Sequence, residues 1–89
     1  HYKRLDIKFP EGERQIVARR LRDAEPDSLD GSKIVKKDTT DGFRFSSADG
    51  SWLLIRFSGT EPLLRIYSES SSQTRVERLL KLGRKMTGV

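Results

Sequence analysis

Ser51-Trp52-Leu53-Leu54-Ile55-Arg56-Phe57-Ser58-Gly59-Thr60-Glu61-Pro62-Leu63-Leu64-Arg65-Ile66-Tyr67-Ser68 is the stretch whose reading decides the fold. Leu53, Ile55 and Phe57 recur at every second position before the polar segment, and Leu64 and Ile66 do so after it. A period of two is the signature of a strand with one buried face. The intervening residues 58–62 are too few for a crossover, so the two strands are expected to be antiparallel neighbours. Pairing Phe57 with Leu64 and Ile55 with Ile66 sets Arg56 opposite Arg65. Like charges facing each other across a ladder repel, and an anion bound between them would reverse the sign of that interaction. A slip of two residues would instead make the arginines diagonal neighbours, still able to converge on one phosphate.

Working outward, shorter strands precede this hairpin. Residues 33–37 contain Ile34 and Val35, and Phe43-Arg44-Phe45 alternates. The turn signals Thr39-Thr40-Asp41-Gly42 and Ala48-Asp49-Gly50 separate them from each other and from the hairpin. Asp38, Asp41 and Asp49 lie in or beside these turns, where aspartate is expected on conformational grounds. Residues 27–32 are turn-rich. Before them, residues 11–22 have helical periodicity, with Ile16, Val17 and Leu21 on one stripe. Pro10 stands at the first turn, and Glu11 and Glu13 suit the positive end of the helix dipole. Pro26 stops the helix. After the hairpin, Ser70-Ser71-Ser72 breaks the sheet, and Thr74 with Glu77 forms a candidate capping box. Val76, Leu79, Leu80 and Met86 then recur at helical spacing. Residues 1–9 look extended and are read as a lead-in. The expected architecture is a two-layer α+β domain, a four-stranded antiparallel sheet with two helices on one face.

At 89 residues the chain suits one domain. Hydrophobic residues make up 34% and charged residues 35%, so the core is modest and the surface strongly solvated. Eighteen basic against 13 acidic residues give a net charge of +5, a field that favours anionic partners. No apolar run approaches the roughly 18 residues needed to span a bilayer, no signal-peptide pattern opens the chain, and no membrane partner is expected. With no cysteine, disulfides and thiolate-ligated metals are excluded. The expected location is the cytoplasm. The chain opens on His1 rather than Met, the pattern of an excised domain.

Between the hairpin strands, the residue types suit a small dianion. Arg56 supplies a forked, charged donor. Ser58 and Thr60 supply hydroxyls, and Gly59 lets backbone N–H groups approach closely. Arg65 adds a second guanidinium, although an arginine on a half-exposed strand is also ordinary. Glu61 cannot donate as a carboxylate. It would contact a sugar hydroxyl or pair with an arginine. Charge-assisted hydrogen bonds contribute roughly 1.5–3 kcal/mol each, offset by association entropy and phosphate desolvation. Binding by this segment alone should therefore be weak.

The rest of the chemistry is missing. The only histidine is His1, at the terminus. No Ser–His or Cys–His pair, no clustered carboxylates for a metal and no Walker-type glycine loop can be found. The segment grips; it carries no catalytic residue.

The run from Arg56 to Glu69 resembles the phosphate-binding loop of the α-D-phosphohexomutases, specifically the phosphoglucomutase/phosphomannomutase branch, with phosphoglucosamine mutase as the nearest alternative. Asp41-Gly42 before a strand and Asp49-Gly50-Ser51-Trp52 before the loop strand are similar to that family's C-terminal domain, and the resemblance covers essentially the whole chain. It implies a TATA-binding-protein-like fold and the fourth domain of a four-domain enzyme. A phosphoserine, a magnesium-binding aspartate loop and a sugar-reading loop lie in the other three. It also implies phosphoryl transfer between the 1- and 6-positions of a hexose through a bisphosphorylated intermediate that reorients in the cleft. Arg56, Ser58, Gly59 and Thr60 match the phosphate loop, with Arg65 in support. The implied partners are a phosphorylated hexose and the enzyme's other domains. Magnesium is implied only for the full-length enzyme.

Two rivals are set against this reading. Gly42-Phe43-Arg44-Phe45 faintly matches an RNA-binding strand. However, Asp41 stands where a base belongs and Arg44 where a small residue belongs, and the expected element order lacks an opening strand. No nucleic-acid partner is expected. The other rival is a docking module in which residues 58–62 form only a turn.

Overall fold

The structure, a computed structural model, describes all 89 residues, the side chain of Glu11 excepted; the expected role of Glu11 at the helix dipole lies outside the described side chains. The central hairpin forms as its alternation dictates. Strand β5 (Trp52–Phe57) pairs antiparallel with β6 (Leu63–Glu69), matching Ile55 with Ile66, Arg56 with Arg65 and Phe57 with Leu64. The remaining strands are β1 (Tyr2–Lys8), β2 (Ser28–Leu29), β3 (Ser32–Asp38) and β4 (Phe43–Ser47). Together they make one antiparallel sheet of six strands in the order β1-β6-β5-β4-β3-β2.

The sheet therefore has six strands where four were expected. The lead-in is β1, an edge strand paired with β6 along its whole length. Its Leu5 and Ile7 face the same side as their partners Ile66 and Leu64, so the apolar alternation seen from Leu5 to Phe9 belongs to this sheet. The other addition, β2, turns back onto β3 through Asp30-Gly31, both at positive φ (50° and 89°). That two-residue turn matches the twist of flanking strands, and it seats Leu29 in full burial. With β1 in place the chain does open on a strand followed by a helix. One argument against the RNA-binding reading thus falls, while those from Asp41 and Arg44 stand.

Two helices cover one face. A 3-10 turn (Glu11–Glu13) leads into α1 (Arg14–Asp23), and α2 (Gln73–Thr87) closes the chain. Val17 and Leu21 of α1 and Val76, Leu79 and Leu80 of α2 pack with Phe45, Leu53, Ile55, Leu64 and Ile66 into one core. Each fully buried aliphatic or aromatic side chain contributes roughly 1.5–3 kcal/mol. Two details differ from expectation. Ile16 is 49% exposed, because the core takes only Val17 and Leu21 from the ten-residue α1. The cap of α2 is Ser72 rather than Thr74: Ser72 is extended, and its hydroxyl accepts the Arg75 N–H at 3.2 Å. Val35 lies in β3, as expected, with its side chain 64% exposed beside a register shift between Ile34 and Lys36.

No helix is long and apolar enough to cross a membrane. The face away from the helices is open, and it carries Arg56, Arg65 and Tyr67 to one end of the sheet.

Candidate functional site

That end is built from three connections: the β5–β6 loop, the β3–β4 turn and the passage from β1 into α1. Residues 58–62 leave β5 and are folded back by their own backbone. The Ser58 N–H donates to the Leu63 carbonyl at 2.8 Å, and the Leu63 N–H donates to the Glu61 carbonyl at 2.7 Å. The Phe9 N–H donates to the Pro62 carbonyl at 3.2 Å, tying the loop exit to the start of the helical layer. Phe57 anchors the entrance, meeting the Phe9 ring edge-on at 5.5 Å between centroids.

Arg56 and Arg65 are cross-strand partners on the open face, so the expected juxtaposition is present. They share a hollow of about 220 Å³ with residues 58–60 and Tyr67. The Ser58 side chain is nearly buried, and its Oγ accepts only a long contact, 3.4 Å, from the Thr60 N–H. Its own hydroxyl hydrogen has no acceptor among the described residues, so it remains available to a guest.

The two arginines differ in their surroundings. Arg56 is 44% exposed, and its Nη1 lies 3.6 Å from Asp41 Oδ2. Arg65 has a buried Nε with no hydrogen-bond partner. Among the described residues the other such atom is Arg75 Nε, which has Asp30 Oδ2 at 3.5 Å. The cross-strand neighbour of Arg65 in β1 is Asp6, yet Asp6 spends its carboxylate on Arg4 Nε at 3.2 Å. A buried guanidinium nitrogen left without an acceptor costs free energy. The side chain that carries it lines a hollow shared with a second arginine and the residues Ser58 and Thr60.

Arg56, Ser58, Gly59, Thr60 and Arg65 therefore meet around one hollow. Glu61 does not join them. It lies on the helix side of the loop, with Phe9, Arg14 and residues 59–62 around a separate hollow of about 160 Å³, and it makes no ion pair among the described residues. Of the two expected roles for Glu61, the pairing with an arginine is therefore not present among the described residues, although Arg14 lines the same hollow.

Sequence reading missed two residues here. Tyr67 shares a face with Arg65 by strand alternation, a signal that was available. Arg14 begins α1, and its guanidinium lies over the Phe57 ring at 4.7 Å, reaching the loop from the far side. Nothing local in the sequence announces that contact, because it depends on how α1 lies on the sheet.

No group of three or more His, Cys, Asp or Glu residues is gathered to hold a metal among the described residues. The magnesium that the resemblance implies has no ligand set among them.

Residues 9–82 match the family model described as phosphoglucomutase/phosphomannomutase, C-terminal domain. A phosphoglucomutase/phosphomannomutase of Thermococcus kodakarensis is 42% identical over 76 residues, 85% of this chain and 15% of its own length. A phosphopentomutase of the same organism is 34% identical over 82 residues, 92% of this chain and 18% of its own. A phosphoglucosamine mutase of Methanococcus maripaludis is 44% identical over 66 residues, 70% of this chain and 14% of its own. The chain thus spans less than a fifth of the length of these relatives. The matched span contains the loop, both arginines and the turns that frame them, and the chain belongs to the phosphoglucomutase/phosphomannomutase C-terminal domain family.

Proposed function

We propose that this chain grips the phosphate of a phosphorylated hexose on behalf of a phosphoglucomutase/phosphomannomutase whose other domains supply the chemistry. The observation that carries the reading is Arg65 Nε, buried, without an acceptor, beside Arg56 and an open hollow. A phosphate seated there would accept from both guanidinium groups and from the hydroxyls of Ser58 and Thr60. Gly59 and Thr60 line the same hollow, and their N–H groups would complete the cradle, that of Thr60 by leaving its long contact with Ser58 Oγ. The repulsion between Arg56 and Arg65 would become attraction to a shared counter-charge.

Every element of this grip addresses phosphate oxygens and none addresses a sugar ring. That suits a reaction in which a bisphosphorylated intermediate turns over in the cleft, since either phosphate can occupy the same cradle. It also suits relatives whose names include a glucose, a glucosamine and a pentose mutase. Phosphoglucosamine mutase is the second reading, favoured by the 44% identity of the Methanococcus relative. With no histidine or carboxylate lining the hollow to activate its hydroxyls, the chain would bind and position; magnesium, the transferring group and the sugar-reading residues would belong to the rest of the enzyme.

Amide NMR with glucose 1-phosphate tests the reading. Shifts should concentrate at residues 56–60 and 65. Arg56→Ala should weaken binding about tenfold or more, the loss of one charge-assisted hydrogen bond, while the melting temperature stays put. Shifts spread over every basic residue, or a collapse of thermal stability in the variant, would refute it.

A further inference from the structure

Arg56 stands between two hollows. One is the loop hollow shared with Arg65. The other, about 360 Å³, lies across the strand end and is lined by Arg56 and Phe57 together with Asp41, Gly42 and Arg14. On this second side Arg56 Nη1 lies 3.6 Å from Asp41 Oδ2. Asp41 makes no other ion pair or hydrogen bond among the described residues.

The meeting is imposed by the backbone. Gly42, at φ +100°, lies so close to β5 that an added Cβ would stand 2.8 Å from both Arg56 Cβ and the Ile55 carbonyl oxygen. The β3–β4 turn is thereby pressed onto the residue that carries the guanidinium, and Asp41 precedes Gly42 directly. The neighbouring aspartate behaves differently, since Asp38 Oδ1 accepts the Thr40 N–H at 2.9 Å and holds the turn's shape. Asp41 contributes nothing to that shape. Its carboxylate, 79% exposed, faces Arg56 alone.

We infer that Asp41 is a built-in counter-ion that competes with an incoming phosphate for Arg56. The inference rests on the phosphate-grip reading and adds a release device to it. Asp41 acts through Arg56 and is a positioning residue. A single loose contact, at 3.6 Å to one nitrogen, leaves the remaining guanidinium donors free to recruit a dianion. As phosphate engages, the carboxylate repels it and reclaims the arginine when it leaves. A grip that must let go of an intermediate gains from such competition, because binding all states more tightly slows turnover without accelerating the chemical step.

The test uses the 89-residue chain and inorganic phosphate, followed by amide NMR and by the Arg56 Nε–H resonance. Asp41→Asn should shift the Arg56 Nε–H signal before any phosphate is added. It should also tighten phosphate binding about two- to fivefold, the span of an exposed ion pair. Asp41→Glu should restore wild-type affinity. The gain should shrink in high salt, where exposed charges are screened. Asp23→Asn, which removes an equal charge at the far end of α1, should produce a smaller change; an equal change would mean that only net charge matters and would overturn the inference. A loop that responds to phosphate with the same or weaker affinity in Asp41→Asn would overturn the counter-ion and leave the grip standing. A loop that responds in neither protein would overturn the grip and the counter-ion together.

Discussion

The two ends of the sheet are made from the same kinds of residue and are put to different uses. At the end holding the β4–β5 turn, polar groups are turned on one another. Asp49 Oδ1 accepts from Ser47 Oγ at 2.7 Å and from the Ser51 N–H at 2.9 Å. Ser51 and Ser70 share a buried hydroxyl contact at 2.8 Å. Arg75 pairs with Asp49 and Asp30, and Arg78 clasps Asp30 through Nε and Nη2, the latter at 2.8 Å. At the opposite end, Arg65 Nε has no acceptor, the Ser58 hydroxyl has nothing to donate to, and Arg56 holds one loose partner. Arginines, serines and aspartates at the first end tie α2 to the sheet. Those at the second are left short of partners in a way that an anion would correct. At the first end even Arg75 Nε, which lacks a hydrogen bond, has a carboxylate at 3.5 Å, whereas Arg65 Nε has none.

The sharpest way to break this contrast is through the backbone at the open end. Gly42→Ala should be the most damaging change. Its Cβ would collide with a carbonyl oxygen, which cannot swing aside, at a φ that side chains rarely adopt. A loss of about 2–5 kcal/mol is expected, the sum of left-handed strain and overpacking, readable as a lower urea midpoint with unchanged slope. A loss below about 1 kcal/mol would mean that the turn is not pressed against β5, and the seat of Asp41 would go with it.

How much of this could be read beforehand follows from the range of the signals. The β5–β6 register was legible to within a slip of two residues, because Leu53, Ile55 and Phe57 answer Leu64 and Ile66 across a short loop, and the first of the two pairings is the one that forms. The juxtaposition of Arg56 and Arg65 came with it. The edge strands were not legible. β1 pairs with a strand from the far end of the chain, and β2 is two residues long, recoverable only from Asp30-Gly31. Ile16 misled because helical periodicity marks a stripe without saying how wide a stripe the sheet will cover. Asp41 reads on sequence as turn chemistry alone; its approach to Arg56 depends on where Gly42 lets the turn settle.

A smaller effect should separate the ends by pH. The carboxyl of Asp49 is held far below the usual carboxylate range, chiefly by the Ser51 N–H, then by the Ser47 hydroxyl, with Arg75 adding to it. Asp30 is lowered mainly by its hydrogen bonds from Arg78. A carboxylate whose folded-state pKa is depressed stabilises the fold above its unfolded value, about 3.9, and loses that contribution as pH falls toward the folded value. The wild-type melting temperature should therefore fall as pH drops below about 4, where the unfolded chain takes up protons that the folded carboxyl resists. Asp49→Asn should melt lower at neutral pH, with a gap that narrows in acid. A gap that widened in acid would show that Asp49 is not ionised in the fold. Glucose 1-phosphate binding at neutral pH should be untouched, because the β4–β5 turn is at the other end.

The smallest expected effect belongs to Arg14, and it asks whether the open end is electrostatic as a whole or only at its two strand arginines. Arg14 approaches the loop from α1, stacked on Phe57, and it lines both the Glu61 hollow and the Asp41 hollow. An exposed cation–π contact contributes about 0.5–1 kcal/mol, so Arg14→Ala should lower stability by no more than that. If its charge also feeds the phosphate hollow, Arg14→Ala should weaken phosphate binding about two- to fivefold, and Arg14→Lys should restore most of the affinity. If Arg14 only braces Phe57, the alanine variant should lose the same stability while phosphate affinity holds. The first outcome would make the helical layer part of the anion field. The second would confine that field to the open face, where Arg56 and Arg65 stand.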